Sequence, residues 1–373
     1  MRWLRWRSDS VTASRAVSFA PMPAIHHSKT ATRRRAPAHA WARLADDELL
    51  KLRFADLKLK VKDSPIAPRV RRLYRELDRR GVKFRPHVWF AEEWFSPDGV
   101  PGIAIPFYLA HPRLERLERR MMNEVEGGNA NWSMRILRHE AGHAVDTAYR
   151  LRRRKLWREV FGPASLPYPT SYRARPGSKR YVQHLGEWYA QAHPCEDFAE
   201  TFAVWLKPNS SWRSTYADWP AFHKLEFVDQ LMSEVRTRRP VVTSRAEIDP
   251  LKSIEHTLAE HYRRKIARHS NYQRTNVDRV LERIFTFEPT RHDAVRAAKF
   301  LHVERAALVS ATVDELDTDP YTVRQMLRIA IDRCATMRLY VHGSRRDALR
   351  HARWMLVRIT RLYSERESPR LAV

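Results

Sequence analysis

Two histidines four residues apart, in a segment with helical periodicity, constrain the fold of this chain most strongly. The segment from Arg135 to Asp146 contains His139-Glu140-Ala141-Gly142-His143. On a helix, positions i and i+4 lie one turn apart on the same face. The apolar residues of this segment fall on a different side: Leu137, Ala141, Ala144, Val145 and Ala148. The pattern therefore predicts a long helix over residues 131–156 that buries one stripe and presents the other to a cleft.

The histidine face of this helix is suited to binding a metal ion. Two imidazoles at this spacing can both reach one Zn²⁺ at about 2.0–2.1 Å. Glu140 lies beside them and can address a water molecule on the metal without being a ligand itself. Such a histidine pair also occurs as hydrogen-bonded core or surface residues, and a motif match of this length carries a risk of chance occurrence.

A second helix is predicted from about Pro194 to Leu206, with its proline near the first helical position, where a missing N–H costs nothing. Glu196 and Glu200 share one face of this helix. Two like charges one turn apart are unfavourable in isolation, so the pair indicates either a solvated acidic face or carboxylates held by a cation. The apolar flanks and the basic chain favour the cation. A catalytic zinc takes three protein ligands and an open position for water.

The sequence from about Leu57 to Met232 resembles a known family. The resemblance is carried by Phe84–Trp89, Trp94–Tyr108, the His139–Asp146 helix and the segment His193–Ala203. The last two blocks are specific when they occur together in this order. They resemble the zinc-binding metallopeptidases of bacteria, of the gluzincin type with HExxH and ExxxE motifs, and more distantly the lethal-factor-like gluzincins. Many relatives also carry a cysteine-rich zinc ribbon, which this chain does not contain.

The resemblance implies a ligand set and a reaction. His139, His143 and Glu196 would be the ligands of one Zn²⁺ per chain. Glu140 would be the general base in the hydrolysis of peptide bonds in a protein or peptide substrate.

The resemblance also implies roles for carboxylates and a tyrosine near the metal. Glu200 would orient a zinc-bound histidine, a recurrent need of such sites. Tyr189, seven residues before Glu196, would face the substrate and donate a hydrogen bond to the oxyanion, although a packed aromatic is the alternative. Independently of the resemblance, Asp146 lies three residues after His143 on nearly the same helix face, where it would either support a ligand or pair with Arg150.

The expected fold class is α+β. A small mixed sheet and the two active-site helices would form a zincin-like core, followed by a mostly helical C-terminal region. A strand is also expected at Leu57–Val61, and the strand Gly102–Tyr108 is the candidate edge for binding a substrate backbone. We expect a flexible basic tail over residues 1–42, a metallopeptidase domain over 43–240 and the helical region over 250–373.

Charge and composition leave two alternative functions open. The net charge of +26 is typical either of an arginine-rich surface or of weak, non-specific nucleic-acid binding. The alternatives to a peptidase are thus a nucleic-acid-associated basic protein and a zinc-stabilised, non-catalytic binding protein. Two cysteines exclude a cysteine-based zinc site and fit a reducing compartment. No apolar run is long enough for a membrane span, so we expect a cytoplasmic protein.

Overall fold

A computed structural model describes residues 39–122, 124–169, 171–271, 276–289, 294–364 and 370–372. Residues 1–40 form one unit and residues 41–373 a second. Almost all of the predicted tail, residues 1–38, lies outside the described residues. The following concerns the second unit.

The described part of this unit is mixed but mostly helical, in agreement with the α+β class. Its helices are α1 (Asp46–Leu50), α2 (Ala67–Arg79), α3 (Pro112–Met122), α4 (Ala130–Tyr149), α5 (Lys155–Phe161), α6 (Pro194–Leu206), α7 (Trp212–Thr215), α8 (Ala221–Val235), α9 (Leu258–Asn271), α10 (Asn276–Glu282), α11 (Ala297–Val303), α12 (Arg305–Leu316), α13 (Pro320–Thr336) and α14 (Arg345–Ser364). Its strands are β1 (His87–Ala91), β2 (Gly102–Pro106), β3 (Ser171–Arg173) and β4 (Arg370–Ala372).

The strands form two small two-stranded sheets. β1 and β2 are parallel, with His87 opposite Gly102, and β3 and β4 are antiparallel. β2 is buried along its whole length and packs against α4. Ala104 in its middle is paired with Trp89 of β1 and is also bridged to Phe95, whose carbonyl accepts the Ala104 N–H at 2.9 Å. A substrate strand could therefore pair with Ala104 only by displacing Phe95.

Buried apolar side chains form two large clusters. The first extends from Trp41 to Tyr262 and is packed around α4 and α6. It includes Leu258 and Tyr262 of α9, both fully buried. The second cluster is built mainly from α10–α14. The predicted boundary between 240 and 250 thus falls before a helix that completes the first cluster.

The second cluster also takes in side chains from the segment between α5 and α6. These are Tyr172, Ala174, Trp188 and Ala192. Trp188 packs against Tyr363 of α14, with ring centroids 5.6 Å apart. The helical region after α9 is consequently packed directly against the segment that leads into the second predicted active-site helix.

The strand expected at Leu57–Val61 is wrong. Phe54–Leu57 and Val61–Asp63 are short 3₁₀ helices, and Lys58 between them has a left-handed backbone with φ 46°. Leu57 is fully buried and Lys58 is exposed, so the alternation of leucine and lysine reflects burial at a turn. None of the described residues forms a strand pair with residues 57–61.

The predicted helix over 131–156 is divided in two. α4 begins after Asn129, whose side chain accepts the Trp132 N–H at 2.8 Å, a normal N-cap. It ends at Arg150, which has a left-handed backbone with φ 51°. The residues that follow form a 3₁₀ turn and then α5, so the basic stretch is not a continuation of α4.

Candidate metal centre

The two predicted active-site helices, α4 and α6, cross at very short distance at Gly142. A methyl group placed on Gly142 would lie 2.9 Å from Cα and 3.2 Å from the carbonyl oxygen of Ala199. Only glycine permits this approach, because the obstructing atoms are backbone rather than a flexible side chain. The close crossing lets side chains of α6 reach the histidine face of α4.

His139, His143 and Glu196 converge at this crossing. Oε2 of Glu196 lies 3.0 Å from Nε2 of His139 and 3.2 Å from Nε2 of His143. The two imidazole nitrogens are themselves 3.1 Å apart. His139 and Glu196 are buried, and His143 is nearly so. These three residues form one of two groups that could hold a metal ion among the described residues.

The electrostatics of this trio require a positive charge. Burial alone would raise the pKa of Glu196, but His143 and His139 hold that pKa well below its usual range. Burial alone would lower the pKa of His139, yet hydrogen bonds to Glu196 and Glu200 raise it well above its usual value. A proton or a metal ion can supply this charge. Two imidazoles and one carboxylate are ligands that zinc prefers, so the donor set fits Zn²⁺.

Glu200 holds the outer edge of His139. Its Oε1 lies 2.9 Å from Nδ1 of His139, and its Oε2 accepts the Leu185 N–H at 2.8 Å. Burial opposes ionisation of Glu200, but the hydrogen bond from His139 lowers its pKa. Glu200 is thus placed to fix the His139 ring with Nε2 directed at Glu196.

Tyr189 borders the same site. Its ring centroid is 5.7 Å from that of His139. Burial, followed by the charges of Glu196 and Glu140, raises its pKa, so the phenol stays protonated and can donate. Two consecutive non-glycine residues with left-handed backbones, Glu187 (φ 58°) and Trp188 (φ 56°), precede it. Such conformations cost free energy and persist where packing enforces them; here Trp188 is buried in the second cluster.

Glu140 directly follows His139 in α4 and is buried. Its backbone carbonyl accepts a hydrogen bond from the Ser96 hydroxyl at 3.0 Å. Its charge contributes to the raised pKa of Tyr189. Glu140 and Tyr189 therefore share one electrostatic environment.

Asp146 does not pair with Arg150. It accepts the backbone N–H of Arg152 at 2.7 Å and forms a short ion pair with the Arg152 guanidinium. Arg152 also reaches Asp98 at 2.7 Å. The left-handed turn at Arg150 explains the shift in partner, because it folds Arg152 back over the end of α4. Asp146 thereby ties the helix end to the loop that contains Asp98.

Sequence reasoning did not identify Tyr168 as part of this site. Its hydroxyl donates to Oε1 of Glu196 at 3.0 Å. Its ring stacks on His193 at a centroid distance of 3.9 Å, although half of the residue is exposed. His193 caps α6 by accepting the Cys195 N–H through Nδ1. The oxygen of Glu196 that does not face the histidines is thus hydrogen-bonded to a tyrosine from the preceding loop.

Comparison with known proteins supports the metal assignment. Residues 133–231 match the family described as "Putative zinc-binding metallo-peptidase". The matched segment is about a quarter of the chain. It contains most of α4, all of α6 and most of α8, and hence all three residues of the trio. No curated protein matches the chain, and no solved structure matches it.

The family and the structure bear on the partners as well. A peptidase family indicates protein or peptide substrates. In the described part of the chain, no helix has the length and apolar character needed to cross a membrane.

Proposed function

We propose that this protein is a zinc-dependent peptidase that hydrolyses peptide bonds by attack of a water molecule, with Glu140 as general base. The observation that carries the proposal is the convergence of His139, His143 and Glu196 at one helix crossing. Glu140 directly follows His139 on the same helix. The family match over the same helices supports it. α4, α6 and the small β1–β2 sheet would form a zincin-like core.

Each residue of the site has a defined task in this proposal. His139, His143 and Glu196 would hold one zinc ion, which supplies a Lewis acid at this point. Glu140 accepts the proton of the attacking water and passes it to the leaving amine. Glu200 fixes the orientation and tautomer of His139.

Tyr189 would stabilise charge that develops on the substrate. Its ring lies beside His139, and its protonated phenol would donate a hydrogen bond to the oxyanion of the tetrahedral intermediate. Preorganised donors of this kind contribute about 10²–10³-fold in rate. The strained turn at Glu187 and Trp188 would keep the phenol in place.

The number of candidate ligands bears on the alternative function, a non-catalytic zinc-binding protein. A purely structural zinc is closed by four protein ligands, whereas the trio would supply three and leave one position open for water. The weak nucleic-acid binding expected from the net charge and the cytoplasmic location both stay predictions.

The decisive test separates binding from turnover. We expect Glu140→Gln to keep its zinc and to lose at least about 100-fold in the hydrolysis of a denatured, fluorescently labelled protein, because general base catalysis is removed. Activity equal to wild type in Glu140→Gln would contradict the assignment of the base. Absence of hydrolysis in a zinc-loaded wild type, over a panel of denatured proteins and peptide libraries, would favour the non-catalytic alternative.

A further inference from the structure

A second cluster of two histidines and one glutamate lies outside the site described above. Oε1 of Glu92 is 2.8 Å from Nε2 of His256 and 2.6 Å from Nδ1 of His261. All three potential ligand atoms lie within 4.8 Å of one another. His261 is 1% exposed, while His256 and Glu92 are partly exposed.

The three residues come from segments that are far apart in the chain. Glu92 directly follows β1, His256 precedes α9 and His261 lies in its first turn. Glu92 and His256 are 164 residues apart. A metal ion bound by these three residues would link α9 to the end of β1. α9 lies outside the residues that match the family.

The geometry repeats that of the candidate catalytic trio. In both clusters, one carboxylate oxygen lies close to a nitrogen of each of two imidazoles. The distances are 3.0 and 3.2 Å in the candidate catalytic trio, and 2.8 and 2.6 Å in the second cluster. Imidazole and carboxylate ligands in this ratio suit zinc and similar divalent transition metals. The partial exposure of Glu92 leaves room for water as a further ligand.

The outer nitrogen of the His261 ring lies in apolar surroundings. This Nε2 is buried and has no hydrogen-bond partner among the described residues. The rings of Phe54 and Phe107 stand nearly perpendicular to the imidazole, with both centroids 5.4 Å away. In the tautomer that carries the proton on Nε2, the lone pair of Nδ1 would face the Glu92 oxygen 2.6 Å away. A metal ion held by both atoms would remove that repulsion.

We propose that Glu92, His256 and His261 form a second divalent-metal site, selective for Zn²⁺ or a similar transition metal, that fastens α9 to β1. This proposal does not depend on whether the chain hydrolyses peptides.

The test is zinc binding to the full chain in a background without the candidate catalytic site. The double variant His139→Ala/His143→Ala, prepared without a chelating tag and stripped of metal, is titrated with zinc. We expect about one equivalent to bind and to raise the midpoint of thermal unfolding, as any ligand specific for the folded state does. Adding Glu92→Gln or, separately, the more exposed His256→Gln should abolish both the binding and the shift. The matched control is Glu260→Gln, because the neighbouring carboxylate of Glu260 accepts the Thr257 N–H instead. This substitution should leave the zinc binding and the shift in midpoint unchanged.

Two results would overturn the proposal. One is no zinc binding by the double variant while the wild type binds zinc, which would assign all of the metal to the catalytic trio. The other is zinc binding that Glu92→Gln and His256→Gln leave unchanged. If the histidine double variant folds too poorly to titrate, Glu92→Gln is compared with the wild type instead. It should lower the bound zinc per chain from about two equivalents to about one.

Discussion

Tyr168 shows how a single side chain can set the geometry of the candidate metal ligand. Its hydroxyl binds Oε1 of Glu196, and Oε2 is left to face both histidines. The stack on His193 keeps the ring in place although half of it is exposed. Hydrogen bonds to ligating carboxylates commonly tune metal affinity.

We expect Tyr168→Phe to weaken zinc binding by about 10–100-fold, because such partners have effects of this size. The ring and its stack on His193 are kept, so stability should change little. Competition with a zinc chelator measures the affinity. Tyr340→Phe, whose ring lies under Arg296 away from the site, is the control. An affinity equal to wild type in Tyr168→Phe would show that the hydrogen bond is irrelevant to the metal.

At the residue scale, sequence spacing predicted the candidate site residues that lie on helices, but it did not identify the one that lies in a loop. Helical spacing of three to four residues fixes which side chains share a face, so it paired His139 with His143 and Glu196 with Glu200. The link between the two pairs came from the family resemblance. Tyr168 lies in a loop 28 residues before Glu196. A loop has no periodicity from which its direction could be read.

The crossing of α4 and α6 at Gly142 is the element-scale feature on which the site depends. The obstructing atoms opposite Gly142 belong to the backbone of Ala199 and to Cβ of Phe202. Any side chain at this position must push the two helices apart. Glu196 would then move away from the two histidines.

We expect Gly142→Ala to destabilise the protein by about 1–3 kcal/mol, the usual range for overpacking, despite the gain of about 1 kcal/mol in helix propensity. Zinc affinity should fall with it. The matched control is Gly186→Ala, where an added methyl group meets nothing within 4 Å. Thermal unfolding and a zinc titration check both effects. A Gly142→Ala protein as stable as wild type would mean that the helices separate freely at this point.

Helix ends illustrate why element boundaries were predicted unevenly. Pro194 marked the start of α6 because proline is favoured in the first turn, and the observed helix begins there. The end of α4 at Arg150 carries no such signal, because its left-handed backbone is usual for glycine rather than arginine.

The N-cap of α13 predicts a pH-dependent contribution to stability. Asp319 accepts hydrogen bonds from the backbone and hydroxyl of Thr322 at 2.8 and 3.1 Å. Slight burial opposes ionisation, but these hydrogen bonds lower its pKa. The contribution is therefore present above the unfolded pKa of about 3.9 and is lost as the pH falls through the lower, folded pKa.

We expect Asp319→Ala to cost about 1 kcal/mol near pH 7 and the difference from wild type to shrink towards zero below about pH 3. Asp319→Asn keeps a capping oxygen and should cost only a few tenths of a kcal/mol. Chemical unfolding at several pH values measures the differences. A cost for Asp319→Ala that does not change with pH would disprove the role of the charge.

At the largest scale, each of the two apolar clusters also includes residues from outside its main stretch of sequence. Trp188 and Tyr172 of the segment between α5 and α6 lie in the second cluster, and α9 lies in the first. The sequence pattern separated amphipathic helices after Pro250 from the family-like segment before it. It could not show which cluster each helix joins, because periodicity identifies an apolar face and not its partner.

We expect Leu258→Ala to lower the stability of the protein by about 2–5 kcal/mol, since the side chain is fully buried in the first cluster. Leu156→Ala is the matched control, because Leu156 is 63% exposed, and it should change stability by less than about 0.5 kcal/mol. The midpoint of thermal unfolding measures both. Equal midpoints for the two variants would show that α9 is not part of this core and would support a domain that ends near residue 240.

The central claim is that His139, His143 and Glu196 together hold a zinc ion. The most direct test is the zinc content per chain of the wild type, His143→Ala and Glu196→Ala, each purified under zinc-replete conditions without a chelating tag. We predict that each variant loses about one equivalent relative to wild type, because a three-ligand site deprived of one ligand binds zinc far more weakly. Unchanged zinc content in both variants would contradict the claim.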